Sequence, residues 1–437
     1  MSETARPPPV SPPRDVGAYG SIYGDVGNTR GDRRPPPQII AGPNVWQLLK
    51  PPKPALRTVV EKDPYQHIDF LGSGAYGYVD TVRKVVSPGA VFARKTIKIT
   101  TGRNRDVQLK AVEMEFEILR KLRHHHIIKV LEIYSCRNKL SIIMSLVAEC
   151  DMKEYLEKLD GIDVGPERHS MMKPLLRWQG CLIQAIDYLH EMKIKHKDIK
   201  PANILITDGH VMLTDFGIAK DLIDEETTAS LISGGVQGSP MYMAPEIGAE
   251  GHRGRAVDIF SLGCVFLEIS TCLIGDPGSR AQFAEHRNIN GSRAYARCPT
   301  QILQWFWYLW GRYAEYNFYK TRVPDFPDDH IFVNQSILPG ELAFMMLDPN
   351  PKTRITSRQL VQRIHAPTSL WDDIKMKACM GCNTSPVWND INLPLHSTFK
   401  ANRDLKFPRP PELALTSQFY LDWEDAKKLF LASHMWW

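Results

Sequence analysis

Two short clusters of oxygen-bearing and basic side chains could do chemistry together. The first is His196-Lys197-Asp198-Ile199-Lys200-Pro201-Ala202-Asn203, and the second is Asp215-Phe216-Gly217. Between them lie two apolar runs, Ile204-Leu205-Ile206 and Val211-Met212-Leu213, separated by Asp208-Gly209. That spacing predicts two strands joined by a tight turn. Such a hairpin carries Asn203 and Asp215 to one edge of a sheet. A carboxylate and an amide oxygen there are hard donors of the kind Mg²⁺ takes. Asp198 is placed to orient an acceptor hydroxyl. The chemistry these groups suit is phosphoryl transfer from a nucleotide.

The elements that would position them come earlier in the chain. Ile68-Asp69-Phe70-Leu71 reads as a strand, and Gly72-Ser73-Gly74-Ala75-Tyr76-Gly77-Tyr78-Val79 follows. Glycines at 72, 74 and 77 let the backbone approach phosphate oxygens and offer N–H donors to them. Dinucleotide-binding folds share this pattern, but there the glycines open a helix, whereas here a return strand follows. Val91-Phe92-Ala93-Arg94-Lys95 reads as a third strand. Residues 106–122 carry Leu109, Val112, Phe116 and Leu119 at helical spacing. Residues 178–192 repeat that pattern with Ile183, Ile186, Tyr188 and Leu189.

These motifs together resemble the eukaryotic protein kinase family, serine/threonine class, with its H-R-D-L-x-x-x-N and D-F-G loops. Lys197 stands where that family usually has Arg. Val91 to Lys95 is similar to its V-A-I-K strand, and Gly238-Ser239-Pro240-Met241-Tyr242-Met243-Ala244-Pro245-Glu246 to its G-T-P-x-Y-x-A-P-E. Asp258-Ile-Phe-Ser-Leu-Gly263 resembles D-x-W-S-L-G, and 347–354 resembles the end of the domain, whose Arg354 would pair with Glu246. The resemblance implies a two-lobed α+β fold, with a small antiparallel-sheet lobe carrying one helix and a larger helical lobe. It implies ATP and Mg²⁺, with Lys95 on the α- and β-phosphates and Glu115 as its helix partner. It further implies Asp198 beside the acceptor, Lys200 on the γ-phosphate, and Asn203 and Asp215 on metal. Val79, Ala93 and Leu205 would sandwich the purine, with Met144 beside it, a hinge over Ser145 to Val147, and Asp151 at the ribose.

Composition bounds the rest. The chain has 437 residues, 43% hydrophobic and 24% charged, with eight cysteines. A net charge of +5 is small for this length and does not suggest nucleic acid binding. No apolar signal segment opens the chain and no uninterrupted apolar run suggests a membrane span. A reducing cytoplasmic or nuclear compartment is the simplest expectation. Cys379-Met-Gly-Cys382 lacks the second pair a zinc site needs. His124 to His126 read as the turn before a strand rather than a metal site. Ile302-Leu-Gln-Trp-Phe-Trp-Tyr-Leu-Trp310 lacks a basic stripe and reads as a packed helix rather than a base-stacking platform.

The expected organisation is a disordered proline-rich tail over 1–60, a kinase domain over 65–365 and an extension over 366–437. Phe399, Phe407, Leu413, Phe419 and Trp423 of the extension are candidates to pack back on the domain. The 6–14 segment, Arg6-Pro-Pro-Pro-Val-Ser-Pro-Pro-Arg14, fits an SH3-type groove. The partner of the domain itself would be a protein with a serine or threonine acceptor. A pseudokinase scaffold is the rival, and the intact metal and phosphate residues argue against it. Lys197 offers no bidentate fork for a loop phosphate, and Gly235 occupies the usual phosphosite position. Both departures imply activity without loop phosphorylation.

Overall fold

The computed structural model describes residues 58–74, 77–98, 116–117, 119–145, 147–215, 240–247, 254–320, 337–365 and Trp423. Strands β2 (Tyr65–Gly74), β3 (Gly77–Lys84) and β4 (Ser87–Lys98) form an antiparallel meander. β5 (Val130–Cys136) and β6 (Lys139–Met144) form a hairpin that pairs with β4 through β6. A short strand, β1 (Thr58–Val60), lies parallel to β5 and completes the order β1-β5-β6-β4-β3-β2. The tail expected over 1–60 is therefore too long at its end. Thr58, Val59 and Val60 are β-branched, and the edge of β5 supplies the ladder they pair with. At Gly77, β3 comes so close to β4 that a Cβ would stand 1.9 Å from the Thr96 carbonyl oxygen. Only glycine fits there.

A second sheet orders β7 (Cys150–Asp151), β8 (Ile204–Thr207) and β9 (His210–Leu213). Asp208 and Gly209 turn the chain between β8 and β9 with φ of 47° and 71°. Two positive φ values match the twist of a tight hairpin, and Asp-Gly tolerates them. The Leu213 amide donates to the His126 carbonyl at 2.8 Å, and the Ile128 amide to the Leu213 carbonyl at 2.9 Å. The two sheets are thus joined through the turn that the three histidines make. The His126 ring is buried and donates from Nδ1 to the Val211 carbonyl at 2.6 Å.

The helices are α1 (Met152–Asp160), α2 (Pro166–Glu191), α3 (Ala256–Ile274), α4 (Ser279–His286), α5 (Pro299–Lys320), α6 (Ile337–Met346) and α7 (Ser357–His365). α2 begins twelve residues before the periodic stretch noted in the sequence and runs through Pro174. α3 is long and apolar enough by composition to cross a bilayer, yet nearly all of it is buried inside the protein. It is the central core helix. At Gly263 a Cβ would come 2.8 Å from Met346 Cβ, so α3 and α6 approach closely there. The aromatic run lies in α5 and packs inward. Trp305 is buried, stacks on Phe283 at 5.0 Å, and donates to Thr271 Oγ1 at 2.9 Å. Trp423 stacks on Phe344 at 5.1 Å and is buried, so the extension touches the domain at that residue. A small sheet lobe and a larger helical lobe result, which is the two-lobed α+β fold the motifs implied.

Two buried polar clusters fix the loops over this core. Asp258, in the first turn of α3, is 1% exposed. It accepts the backbone N–H of His196 at 2.9 Å and of Lys197 at 2.8 Å. His190 lies 3.0 Å from the same carboxylate and 3.1 Å from Ser357 Oγ, tying α2 and α7 to it. Burial would raise the Asp258 carboxyl, but the hydrogen bond and charge of His190 outweigh it and hold the group below its usual range. The second cluster is the Arg354 guanidinium, which grips Glu246 with two bonds of 2.6 and 3.0 Å. It also donates to the carbonyls of Ala256 and Asp348, both at 2.8 Å. This is the ion pair the sequence suggested.

The 6–14 segment, Glu115, the 216–239 loop with Gly235, and Cys379 and Cys382 lie outside the described residues.

Two outcomes follow from these clusters. The Arg354 side chain is 0% exposed, so Glu246→Ala leaves a buried charge without its carboxylate. Stability should fall by about 3–5 kcal/mol, read as a lower urea midpoint with an unchanged slope. His196 is fully buried, and burial holds its imidazole below the ordinary value despite the Asp258 and Asp198 charges. The unfolded chain then takes up a proton near pH 6.5 that the folded chain refuses. The contribution is complete above about pH 6.5 and is lost as pH falls toward the lowered value. The urea midpoint should drop more between about pH 7 and about pH 5.5 in the wild type than in His196→Phe.

Candidate active site

The loop from His196 to Asn203 leaves α2, and the Asp258 carboxylate dictates its path. Lys197 sits at φ 68°, a left-handed conformation that a side chain adopts at a cost of about 1–3 kcal/mol. The Lys197 N–H bond to Asp258 supports it there. Behind it the buried His196 ring donates from Nε2 to the Thr214 carbonyl at 3.0 Å. His196 Nδ1 then faces the Asp198 amide at 3.4 Å. One imidazole thus joins the loop to the segment that carries Asp215.

A single 3₁₀ turn, Pro201–Asn203, follows, closed by the Asn203 amide on the Lys200 carbonyl at 2.9 Å. It folds Asn203 back on Asp198. Asn203 Nδ2 donates to the Asp198 carbonyl at 2.7 Å and to Asp198 Oδ2 at 3.0 Å. Lys200 Nζ donates to the same Oδ2 at 3.0 Å. Asp198 and Asn203 are both buried. With its nitrogen bonded to Asp198, the Asn203 amide has its oxygen turned away from that carboxylate. The Thr214 amide donates to the Asn203 carbonyl at 3.0 Å, so Asp215 begins one residue beyond a fixed point. Asp215 also has positive φ, 56°.

From the other lobe, β4 delivers Lys95. Its Nζ lies 2.7 Å from Asp215 Oδ1, with the two side chains 30% and 39% exposed. Lys95 is paired across the sheet with Val79 of β3 and Ile142 of β6. Gly72 pairs with Val79, and Gly74 with Gly77 at the end of the β2–β3 hairpin. Ala93 and Met144 face each other in the β4–β6 ladder and are buried in the main core. Val79, Val147 and Leu205 are partly buried against that same core. The Ser145 amide donates to the Lys129 carbonyl at 3.0 Å, while the buried Ser145 hydroxyl has no hydrogen-bond partner among the described residues. Asp151 caps α1, accepting the Glu154 amide at 2.9 Å. Among the described residues Lys95 pairs with Asp215, and Glu115 lies outside them.

The structure therefore brings Lys95, Asp198, Lys200, Asn203 and Asp215 into two linked sets of contacts. Sequence reasoning gave no task to Asp258, His190 or the His196 ring, which hold those contacts in place. Asp258 was visible only as the first residue of D-I-F-S-L-G. Its position at the start of a core helix was the signal, because a buried carboxylate must find donors.

A family model described as protein kinase domain matches residues 65–365. The serine/threonine-protein kinase TIO of Arabidopsis thaliana is 32% identical over 216 residues, 49% of this chain and 15% of its own length. Calcium/calmodulin-dependent protein kinase type 1 of Macrobrachium nipponense is 29% identical over 208 residues, 47% of this chain and 55% of its own length. The serine/threonine-protein kinase Nek3 of Oryza sativa subsp. japonica is 31% identical over 212 residues, 48% of this chain and 34% of its own length. The chain thus matches at most about half of the length of these three relatives. With the family model covering more than half of the chain and the loops folded as above, the chain belongs to the protein kinase family.

Proposed function

We propose that the chain is a catalytically active serine/threonine kinase that transfers the γ-phosphoryl group of ATP to a protein hydroxyl. The observation that carries this reading is the shared contact of Lys200 and Asn203 on Asp198 Oδ2, 3.0 Å from each. Two donors on one carboxylate oxygen orient the group. An acceptor hydroxyl beside it would be aligned for in-line attack and would give its proton to that carboxylate as the new bond forms.

The donor set fits a hard divalent cation. Asp215 supplies a carboxylate and Asn203 an amide oxygen, both from backbone fixed by the Thr214 bond. Mg²⁺ held there would neutralise charge on the phosphate oxygens. Lys95 is free to exchange its partner. An ion pair this exposed is worth about 0–1 kcal/mol, so leaving Asp215 for a phosphate oxygen costs little. Lys200 provides a second cation that can move from Asp198 toward the transferred group. The apolar slot of Val79, Ala93, Met144, Val147 and Leu205 suits a purine. The orphan Ser145 hydroxyl is where a heterocycle edge would gain a hydrogen bond.

Asp198→Asn separates this reading from a nucleotide-binding scaffold. Turnover should fall by about 10²–10⁴ while ATP affinity changes little, because Asp198 serves the acceptor. Lys95→Met should remove turnover by weakening the hold on phosphate. Peptide phosphorylation at a wild-type rate in purified Asp198→Asn protein would rule the mechanism out.

A further inference from the structure

Arg94 precedes Lys95 in β4, and strand alternation puts their side chains on opposite faces of the sheet. Lys95 reaches Asp215. Arg94 is buried on the other face, among groups the proposed chemistry does not use. Its Nε and Nη2 hold the two oxygens of Asp80 at 2.9 and 2.6 Å. Its Nη1 donates to Asp63 Oδ2 at 2.6 Å and to the Tyr134 hydroxyl at 3.1 Å. The other Asp63 oxygen accepts the Tyr134 hydroxyl at 2.7 Å and the Tyr65 amide at 2.9 Å. His67 Nδ1 lies 2.8 Å from Asp80 Oδ2. One guanidinium therefore joins β3, β4, β5 and the turn between β1 and β2.

Asp80 stands directly opposite Arg94 in the β3–β4 ladder. The two-pronged contact consequently fixes register. A slip of one residue would exchange the faces of Arg94 and Lys95 and carry Lys95 away from Asp215. Asp63 is the part of this cluster held from outside the meander. It sits just after β1, and its side chain is 42% exposed while Arg94 is 6% exposed. The segment that enters the sheet thus grips the residue next to Lys95.

We propose that Asp63 and Arg94 form a positioning clamp for Lys95, through which the entry segment 58–64 sets where β4 presents that lysine to ATP. This rests on the reading of Lys95 as the phosphate-binding residue. Arg94 and Asp63 do not touch substrate. They act on the ATP site through strand register and through the position of β4.

The test uses the full chain with Asp63→Asn, assayed with a serine/threonine peptide and varied ATP at a temperature where near-ultraviolet dichroism matches the wild type. The expected result is a fall of about tenfold in kcat/KM for ATP, within the ~10²-fold that a displacement of about 1 Å can produce. KM for the peptide should stay unchanged, and Asp63→Glu should recover most of the loss. A purely structural contact would lower the melting temperature without that split between the two substrates. Equal changes for ATP and peptide, or no change for ATP, would overturn the clamp. Tyr134→Phe removes one hydroxyl from the same cluster and decides the question if Asp63→Asn does not fold. Lys95→Met runs alongside. If it keeps wild-type affinity for ATP, the reading of Lys95 fails and the clamp fails with it. If it loses ATP while Asp63→Asn and Tyr134→Phe behave as wild type, only the clamp fails.

Discussion

A carboxylate buried at the start of the core helix governs the geometry of the site. Asp258 accepts two successive backbone N–H groups, those of His196 and Lys197. These bonds favour the left-handed backbone of Lys197 and help to set the bearing of Asp198 on Asn203. The arrangement works because α3 is held on all sides. Its apolar residues are buried, and the carboxylate sits in its first turn, where the helix dipole favours negative charge. The hydrophobic core supplies rigidity, and a few satisfied polar groups convert it into direction.

The ion pairs fall into two kinds, and exposure separates them. Arg354 and Glu246 are desolvated and multiply bonded, so their contact behaves as part of the core. Lys95 and Asp215 share one bond in a partly open setting. A contact of that strength can be exchanged, which a phosphate-binding lysine requires. Arg94 belongs to the first kind although it neighbours Lys95 in sequence. The fold thus combines rigid buried pairs with an exchangeable one.

Much of the site was legible because each part obeys a local rule. The Asp208-Gly209 turn forces the hairpin that brings Asn203 and Asp215 together, and both residues declare their chemistry by type. Arg354 and Glu246 were legible through the motifs that carry them. The rest depended on contacts between distant residues. β1 is three residues long and exists because β5 has an edge to pair with. The early start of α2 was obscured by Pro174, which lacks an N–H and disfavours helix interiors. Burial of Met172, Leu175 and Leu176 against the core overrides that preference. In the sequence Arg94 is marked only as a member of the strand read from Val91 to Lys95. Its partners Asp63, Asp80 and Tyr134 are scattered along the chain, so no spacing announces them.

The central claim is that these contacts support phosphoryl transfer and not nucleotide binding alone. The most direct measurement is incorporation of labelled γ-phosphate from ATP into a serine/threonine peptide library by the purified chain, with and without Mg²⁺. The account predicts Mg²⁺-dependent label on serine or threonine that is absent in Asp215→Ala protein prepared in the same way. Saturable nucleotide binding with no transferred label, or equal label from wild-type and Asp215→Ala protein, would contradict it.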